Sequence, residues 1–226
     1  MAKTISIAID GPAGAGKSTI ARRLAKELGY YYVDTGAIYR TVAYFFDLWG
    51  ISPKDLDGIT RYIDELTIGI EYDEEGVQHM IMNGMDVTAD IRTQDISQKA
   101  SLVSAHAIVR DLLLDMQRDM AAKHNVIMDG RDIGTVVLPK ATVKIFLTAS
   151  PEVRAHRRTK ELLDKGQKAD YQRILKEIQQ RDYQDTHRQV APLKAARDAV
   201  TLDTSEMDLD SVIAAIKEIV SRKVAL

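Results

Sequence analysis

Eight residues near the start of the chain, Gly11-Pro12-Ala13-Gly14-Ala15-Gly16-Lys17-Ser18, fit the pattern G-x-x-x-x-G-K-[ST]. The chemistry this spacing serves is phosphate binding. Glycines let backbone N–H groups close around an anion with no Cβ in the way, and a helix starting near Lys17 aims its positive N-terminal end at the same place. Lys17 can reach the β- and γ-phosphates of a nucleoside triphosphate, and Ser18 can ligate Mg²⁺ directly or through water. Such a loop is shared by GTPase switches, ATPase motors and small-molecule kinases. No Asn-Lys-x-Asp occurs in the chain, which weakens the GTPase reading, and 226 residues are few for a motor. Asp129 ends a hydrophobic run, as a magnesium-orienting acid does, but no Glu follows it to activate water. Transfer to a bound acceptor needs no such base.

A second set of residues suits that transfer. Holding two polyanions in line calls for several cations, and the arginine fork grips phosphate at two points where lysine offers one. Arg154, Arg157 and Arg158 stand at i, i+3 and i+4, and Arg181, Asp185 and Arg188 at i, i+4 and i+7. Each set shares one face if its segment is helical. Asp129-Gly130-Arg131-Asp132 follows a strand's C-terminal end, where α/β folds bind ligands. His106 and His124 lie outside any H-E-x-x-H spacing and are read as packing or surface residues.

The elements that must position these groups follow from periodicity. Residues 5–9 and 30–33 read as strands flanking a helix from Lys17 to Leu28, whose Ile20, Leu24 and Leu28 recur every four residues and which Gly29 ends. Strand, glycine turn, helix and strand form a βαβ unit, so the main sheet is expected to be parallel. Residues 67–72, 77–82 and 85–88 read instead as an antiparallel meander with Asn83-Gly84 as its hairpin turn. Residues 63–100 are therefore expected to be an inserted subdomain between core segments 1–62 and 101–226. Residues 95–122 read as one helix, 125–129, 143–147 and 199–202 as strands, 151–192 as mainly helical, and 209–220 as a closing helix.

Composition removes whole classes of function. With no cysteine, there is no disulfide, thiol nucleophile or cysteine-bound zinc or iron–sulfur cluster. No apolar run approaches a membrane span, and Met1-Ala2-Lys3-Thr4 does not open a signal-peptide core, so a cytoplasmic protein is expected. Lys+Arg number 31 and Asp+Glu 33, which argues against a nucleic-acid-coating surface. The average hides an asymmetry: residues 55–90 hold ten acids against one arginine, while 151–194 hold eleven cations against seven acids. A focused cationic cleft is compatible with that distribution. No coiled-coil heptads occur, and a monomer is the expectation.

Several blocks together resemble bacterial cytidylate kinases: residues 11–19, Asp-Thr-Gly-Ala-Ile-Tyr-Arg at 34–40, Ile-Arg-Thr-Gln at 91–94, Asp-Gly-Arg-Asp-Ile-Gly-Thr-Val-Val at 129–137, Lys-Ile-Phe-Leu at 144–147, Arg-Ala-His-Arg-Arg at 154–158 and Arg-Gln-Val-Ala-Pro-Leu at 188–193. The blocks run in order over nearly the whole chain. The resemblance implies the nucleoside monophosphate kinase fold: an α/β parallel sheet with helices on both faces, a small antiparallel insert and a helical lid near 157–169. It implies transfer of the ATP γ-phosphoryl group to CMP or dCMP with Mg²⁺, in pyrimidine nucleotide metabolism. ATP would lie on residues 11–19, Thr19 included, with Arg157. Arg40, Arg131 and Arg188 would hold the CMP phosphate, with Thr35 and Asp129 also in the CMP site, Ser101, Arg110 and Asp132 would read cytosine, and Arg181 with Asp185 would reach the ribose. Lys17, Arg154, Arg158, Arg181 and Arg188 would act on the transferring group. The base assignment also makes chemical sense unaided: cytosine offers an N4–H₂ donor beside N3 and O2 acceptors, which suits Asp132 and Arg110, whereas uracil turns a carbonyl toward the carboxylate. A UMP or AMP kinase, or a nucleotide-dependent switch, is the rival reading.

Overall fold

The computed structural model describes residues 4–224, so Met1, Ala2 and Lys3, on which the leader reading rests in part, lie outside it. Five strands form one sheet: β1 (Ser6–Asp10), β2 (Tyr31–Asp34), β6 (Val126–Gly130), β7 (Val143–Thr148) and β8 (Val200–Asp203), in the order β2-β6-β1-β7-β8. Every pairing in it is parallel.

Side chains alternate across the sheet, and each face has its own core. Ile7, Ile9, Tyr32, Ile127, Ile145 and Leu147 pack under α1 (Lys17–Leu28) and α8 (Leu209–Val224), against Ile20, Leu24, Ile213 and Ile216. Ala8, Val33, Val126 and Met128 face the other way, into the core shared by α2 (Thr35–Leu48), α3 (Leu56–Tyr62), α4 (Gln94–Val103) and α5 (Ala107–Lys123). Helix α1 has the bounds its periodicity predicts, with Gly29 in a left-handed C-cap whose N–H bonds to Ala25 O.

The meander is β3 (Ile68–Tyr72), β4 (Gln78–Met82) and β5 (Met85–Asp86), antiparallel throughout. Asn83 and Gly84 both take positive φ, 48° and 83°, as a two-residue hairpin turn of this hand requires. Its Met80, Met82, Val87 and Ile91 join the α2–α4 core rather than forming one of their own. Two side chains dock it on the edge strand: Tyr72 Oη donates to Tyr32 O at 2.8 Å, and Gln78 Oε1 accepts from Asp34 N–H at 2.7 Å.

Three elements differ from the sequence expectation. The helix read over 95–122 is two helices, broken at Ser104-Ala105-His106. The Ser104 hydroxyl turns back to Ser101 O at 2.9 Å, competing with helix continuation, and His106 Nε2 bonds to Pro53 O at 2.8 Å. Residues Ile133–Val137 form a wide π-helical turn. Helix α2 had no assignment, although Asp34 caps it by accepting from Ala37 N–H and Ile38, Val42, Phe45 and Phe46 give it a buried stripe. The helical stretch after β7 is a hairpin of α6 (Pro151–Asp164) and α7 (Tyr171–His187), joined through Ala155, Ile174 and Ile178. No helix among the described residues is long and apolar enough to cross a membrane.

Gly11 leaves β1 at φ +149°, and a Cβ there would lie 1.9 Å from Leu147 O in β7. Gly166, in the α6–α7 turn at φ +71°, has nothing within 4 Å of that position. Gly11→Ala should therefore lower the unfolding free energy by more than about 2 kcal/mol, and Gly166→Ala by only about 1 kcal/mol. Urea titration of both variants checks this; equal losses would contradict the packing account.

Candidate active site

Three adjacent strands carry an acid at or one residue before their C-terminal ends. Asp10, Asp34 and Asp129 stand at the C-terminal ends of β1, β2 and β6, with Asp34 and Ile9 both in register with Asp129. This is the edge of a parallel sheet where helix N-termini and loops leave a crevice. A cleft of ≈ 220 Å³ opens there, lined by the P-loop at one end and by residues of α2, α4, α5 and α7 at the other.

At the P-loop end, Gly11, Gly14 and Gly16 all take positive φ, and Gly16 caps α1. Lys17 is buried, with Nζ donating to Pro12 O at 2.8 Å. Burial and the charge of Arg131 push its ammonium down to about 7. Ser18 Oγ donates to Asp129 Oδ2 at 2.9 Å, and Tyr32 Oη donates to Oδ1 at 2.8 Å. Burial, reinforced by the nearby Asp34 charge, raises the Asp129 carboxyl above its ordinary range, and Lys17 opposes the rise.

The other end is built from ion pairs. Arg131 Nε donates to Asp185 Oδ2 at 2.7 Å. Burial works against the Asp185 charge, but Arg131, Arg181 and Arg188 together hold its carboxyl below the usual range. Asp132 accepts from Arg110, a buried pair, and from Arg188 Nη2 at 3.5 Å. The α4–α5 break supplies Ser104 to both cations: its carbonyl accepts from Arg110 at 3.3 Å and its hydroxyl from Arg188 at 3.3 Å. Arg40 pairs with Asp34 at 3.0 Å. The Nε atoms of Arg40 and Arg181 are buried without a hydrogen-bond partner among the described residues, and burial with the Arg131 charge pushes Arg181 down to about 10. The cleft therefore holds unspent hydrogen-bond donors beside crowded positive charge, an arrangement that an anion completes.

Of the residues expected from sequence, Ala13, Gly14, Lys17, Ser18, Thr35, Arg40, Ser101, Arg110, Asp129, Arg131, Asp132, Arg181, Asp185 and Arg188 all line this one cleft. Thr35 spends its hydroxyl on Asp129 O at 2.7 Å. The arginines of α6 lie outside the cleft lining. Arg154 is buried behind the P-loop, bonded to Ala13 O, Ala149 O and Asp182. Arg157 donates to Thr204 O and Oγ1, and Arg158 pairs with Glu161 on the exposed side of α6. Sequence reasoning missed Asp10, Tyr32, Asp34, Gln78, Ser104 and Asp182. Asp34 had a legible signal, an acid in N-cap position before an apolar helical stripe; the others act through tertiary contacts.

A phosphate loop between strand and helix, an acid ending the adjacent strand, and an arginine-rich second pocket on a five-stranded parallel sheet define a P-loop kinase. A family model described as cytidylate kinase matches residues 7–222. A protein of Clostridium tetani named cytidylate kinase is 45% identical over 96% of this chain and 93% of its own length. One of Carboxydothermus hydrogenoformans with the same name is 49% identical over 96% and 97%. The chain belongs to the cytidylate kinase family. Among solved structures, an uncharacterized protein from Eubacterium ventriosum superposes over 95% of this chain and 97% of its own, with a TM-score of 0.50 at 13% identity, a likeness of fold alone.

Asp10 anchors the turn that presents Arg131 and Asp132: its two carboxylate oxygens accept from Ile133 N–H and Gly134 N–H, both at 2.7 Å. Burial nonetheless pushes its carboxyl up from 3.8 to about 6, against those two hydrogen bonds. A carboxyl raised on folding contributes stability that is full below its unfolded pKa and lost as pH rises through the folded one. The loss is about 2 kcal/mol between pH 4 and 7. Asp10→Asn removes this titration, so the wild-type unfolding free energy minus that of the variant should fall by about that amount over the same range. A difference that stays flat with pH would refute the assignment.

Proposed function

We propose that this protein transfers the γ-phosphoryl group of ATP to CMP or dCMP, releasing ADP and the nucleoside diphosphate. The observation that carries the reading is that one cleft joins the P-loop end, with Lys17, Ser18 and Asp129, to an acceptor end where Arg110 and Asp132 stand beside Arg40, Arg131, Arg181 and Arg188. The names of the relatives support the choice of acceptor.

In this reading the triphosphate lies on residues 11–19, with Lys17 against its β- and γ-phosphates, and Arg40, Arg131 and Arg188 grip the acceptor phosphate. An acceptor phosphate oxygen attacks the γ-phosphorus, the bond to the β–γ bridging oxygen breaks, and ADP leaves with that electron pair. An ionised phosphate needs no strong base, so positioning and cations carry the catalysis. Cytosine separates Arg110 from Asp132, accepting at N3 or O2 from the arginine and donating from N4 to the carboxylate, while Ser101 lies at the same pocket wall. Arg181 and Asp185 reach the ribose. Arg157, held at Thr204, would flank the donor from the base of α6, and Arg158, nearer the hairpin tip, would approach it when the tip closes.

The residues present suit Mg²⁺. Ser18 and Asp129 offer hard oxygen donors within 2.9 Å of each other, a sparse set that fits a cation keeping waters and phosphate oxygens as its other ligands. Bound there, Mg²⁺ supplies charge neutralisation of the β- and γ-phosphates.

Incubation with ATP and Mg²⁺ should give rapid ADP formation with CMP or dCMP and little with UMP, AMP or no acceptor. Rapid hydrolysis without acceptor would overturn the kinase reading in favour of a nucleotide-dependent switch or ATPase, and equal rates with UMP would overturn the base-reading role of Asp132. Lys17→Ala should lower turnover at least about a hundredfold, because one oriented cation at the transferring group is worth several kcal/mol. Circular dichroism of the variant separates this from unfolding, and retention of a tenth of the activity would contradict it.

A further inference from the structure

Helix α7 faces two ways. Arg181, Asp185 and Arg188, at i, i+4 and i+7, turn to the acceptor end of the cleft. Asp182, one residue on, turns instead toward the P-loop and clasps Arg154, with Oδ1 accepting from Nη1 at 3.0 Å and Oδ2 from Nη2 at 2.5 Å. That guanidinium is almost fully buried, its side chain 3% exposed, and Asp182 is its one salt-bridge partner among the described residues. Of its remaining bonds one leads to the phosphate loop, Nη1 donating to Ala13 O at 2.9 Å, and one to the residue after β7, Nε donating to Ala149 O at 2.9 Å; the Arg154 Cβ lies 3.4 Å from where a Cβ on Gly14 would stand.

We infer that Asp182 is a positioning residue that, through Arg154, ties the donor-phosphate loop to the helix that binds the acceptor, so that each nucleotide site senses the other. The inference rests on the two-nucleotide reading above. A planar fork held at four points by one carboxylate and two carbonyls has no soft direction. Letting go of Asp182 leaves a buried cation uncompensated. When an acceptor draws Arg181, Asp185 and Arg188 together, the shift of α7 is passed to Ala13 rather than absorbed at the contact. Coupling of this kind is reciprocal in binding free energy.

Affinity for a non-hydrolysable ATP analogue, measured with and without saturating CMP, tests it. In the wild type, CMP should tighten the analogue about fivefold or more, and the analogue should tighten CMP by the same factor. Asp182→Asn keeps the side chain's size and one acceptor oxygen but loses the second and the charge. It should bring that factor close to one while CMP affinity alone changes little. Arg154→Lys should do the same, and the double variant should lose no more than either single one, because both act through one contact. Full coupling in a folded Asp182→Asn protein would overturn the inference. Should the variants not fold, hydrogen exchange on the wild type decides: CMP alone should slow exchange at the P-loop amides of residues 13–16, and unchanged rates there would overturn it equally. A wild type that makes ADP with no acceptor dependence at all is a failure of the kinase reading instead, and is told apart by that assay.

Discussion

Like charges crowded in a dry cleft are the constraint on which the rest of this structure turns. Burial is the main cost to the charges of Lys17 and Arg181, and Arg131 beside them depresses the ionisation of both further. Only the carboxylates at strand ends and on α7 make the arrangement tolerable. Arg131 survives because Asp185 touches it, and Arg110 because Asp132 does. A buried pair of this type adds little net stability, since desolvation consumes most of the Coulombic gain, but losing one member is costly. Such a network is therefore better understood as fixing geometry than as holding the fold together. It also leaves a deficit of negative charge that phosphate oxygens fill.

The scaffold supplies rigidity where that network needs it. Parallel strands put Asp10, Asp34 and Asp129 side by side without any long-range search, because consecutive strand ends in a parallel sheet meet at one edge. Each acid then does structural work on its neighbours: Asp10 on the turn after β6, Asp34 on the start of α2, Asp129 on Ser18. The insert is tied in by the same device. Gln78 bonds Asp34 through both ends of its amide, at 2.7 Å and 3.4 Å, in place of a missing edge strand. The residue that caps α2 and orients Arg40 is thus held from the opposite side by the meander.

Much of this was legible in the sequence where the signal is local. The P-loop, the period of α1, the Asn83-Gly84 turn and the strand ending at Asp129 are each written in fewer than fifteen consecutive residues. What escaped is tertiary. Ser104 interrupts a periodic helical stretch because its hydroxyl and carbonyl serve Arg188 and Arg110, partners that local pattern does not reveal. Asp182 reads from sequence as one more acid in a charged helix, and its meaning depends on Arg154, 28 residues earlier. Arg154, Arg157 and Arg158 illustrate the converse. Helical spacing places them near one another but says nothing of depth, and in the structure their burial runs from complete for Arg154 to open for Arg158.

That gradient of burial also says which part of the α6–α7 hairpin can move. Near its base, separating Arg154 from Asp182 would strand a buried charge at a cost of about 3–5 kcal/mol. Toward its tip, Arg158 and Lys165 share Glu161 with side chains 41–59% exposed, and exchanging such pairs with water or a ligand costs at most about 1 kcal/mol. The apolar contact between the two helices is small as well, Ala155, Ile174 and Ile178 with a few partly buried neighbours. Motion is therefore cheap at residues 158–170 and expensive at 154 and 182, so a displacement of the tip leaves the grip of the base on the phosphate loop intact. In the proposed transfer, a tip that moves on a fixed root would bring new cations to the phosphates without disturbing those already aligned, the condition that in-line reaction between two bound nucleotides imposes.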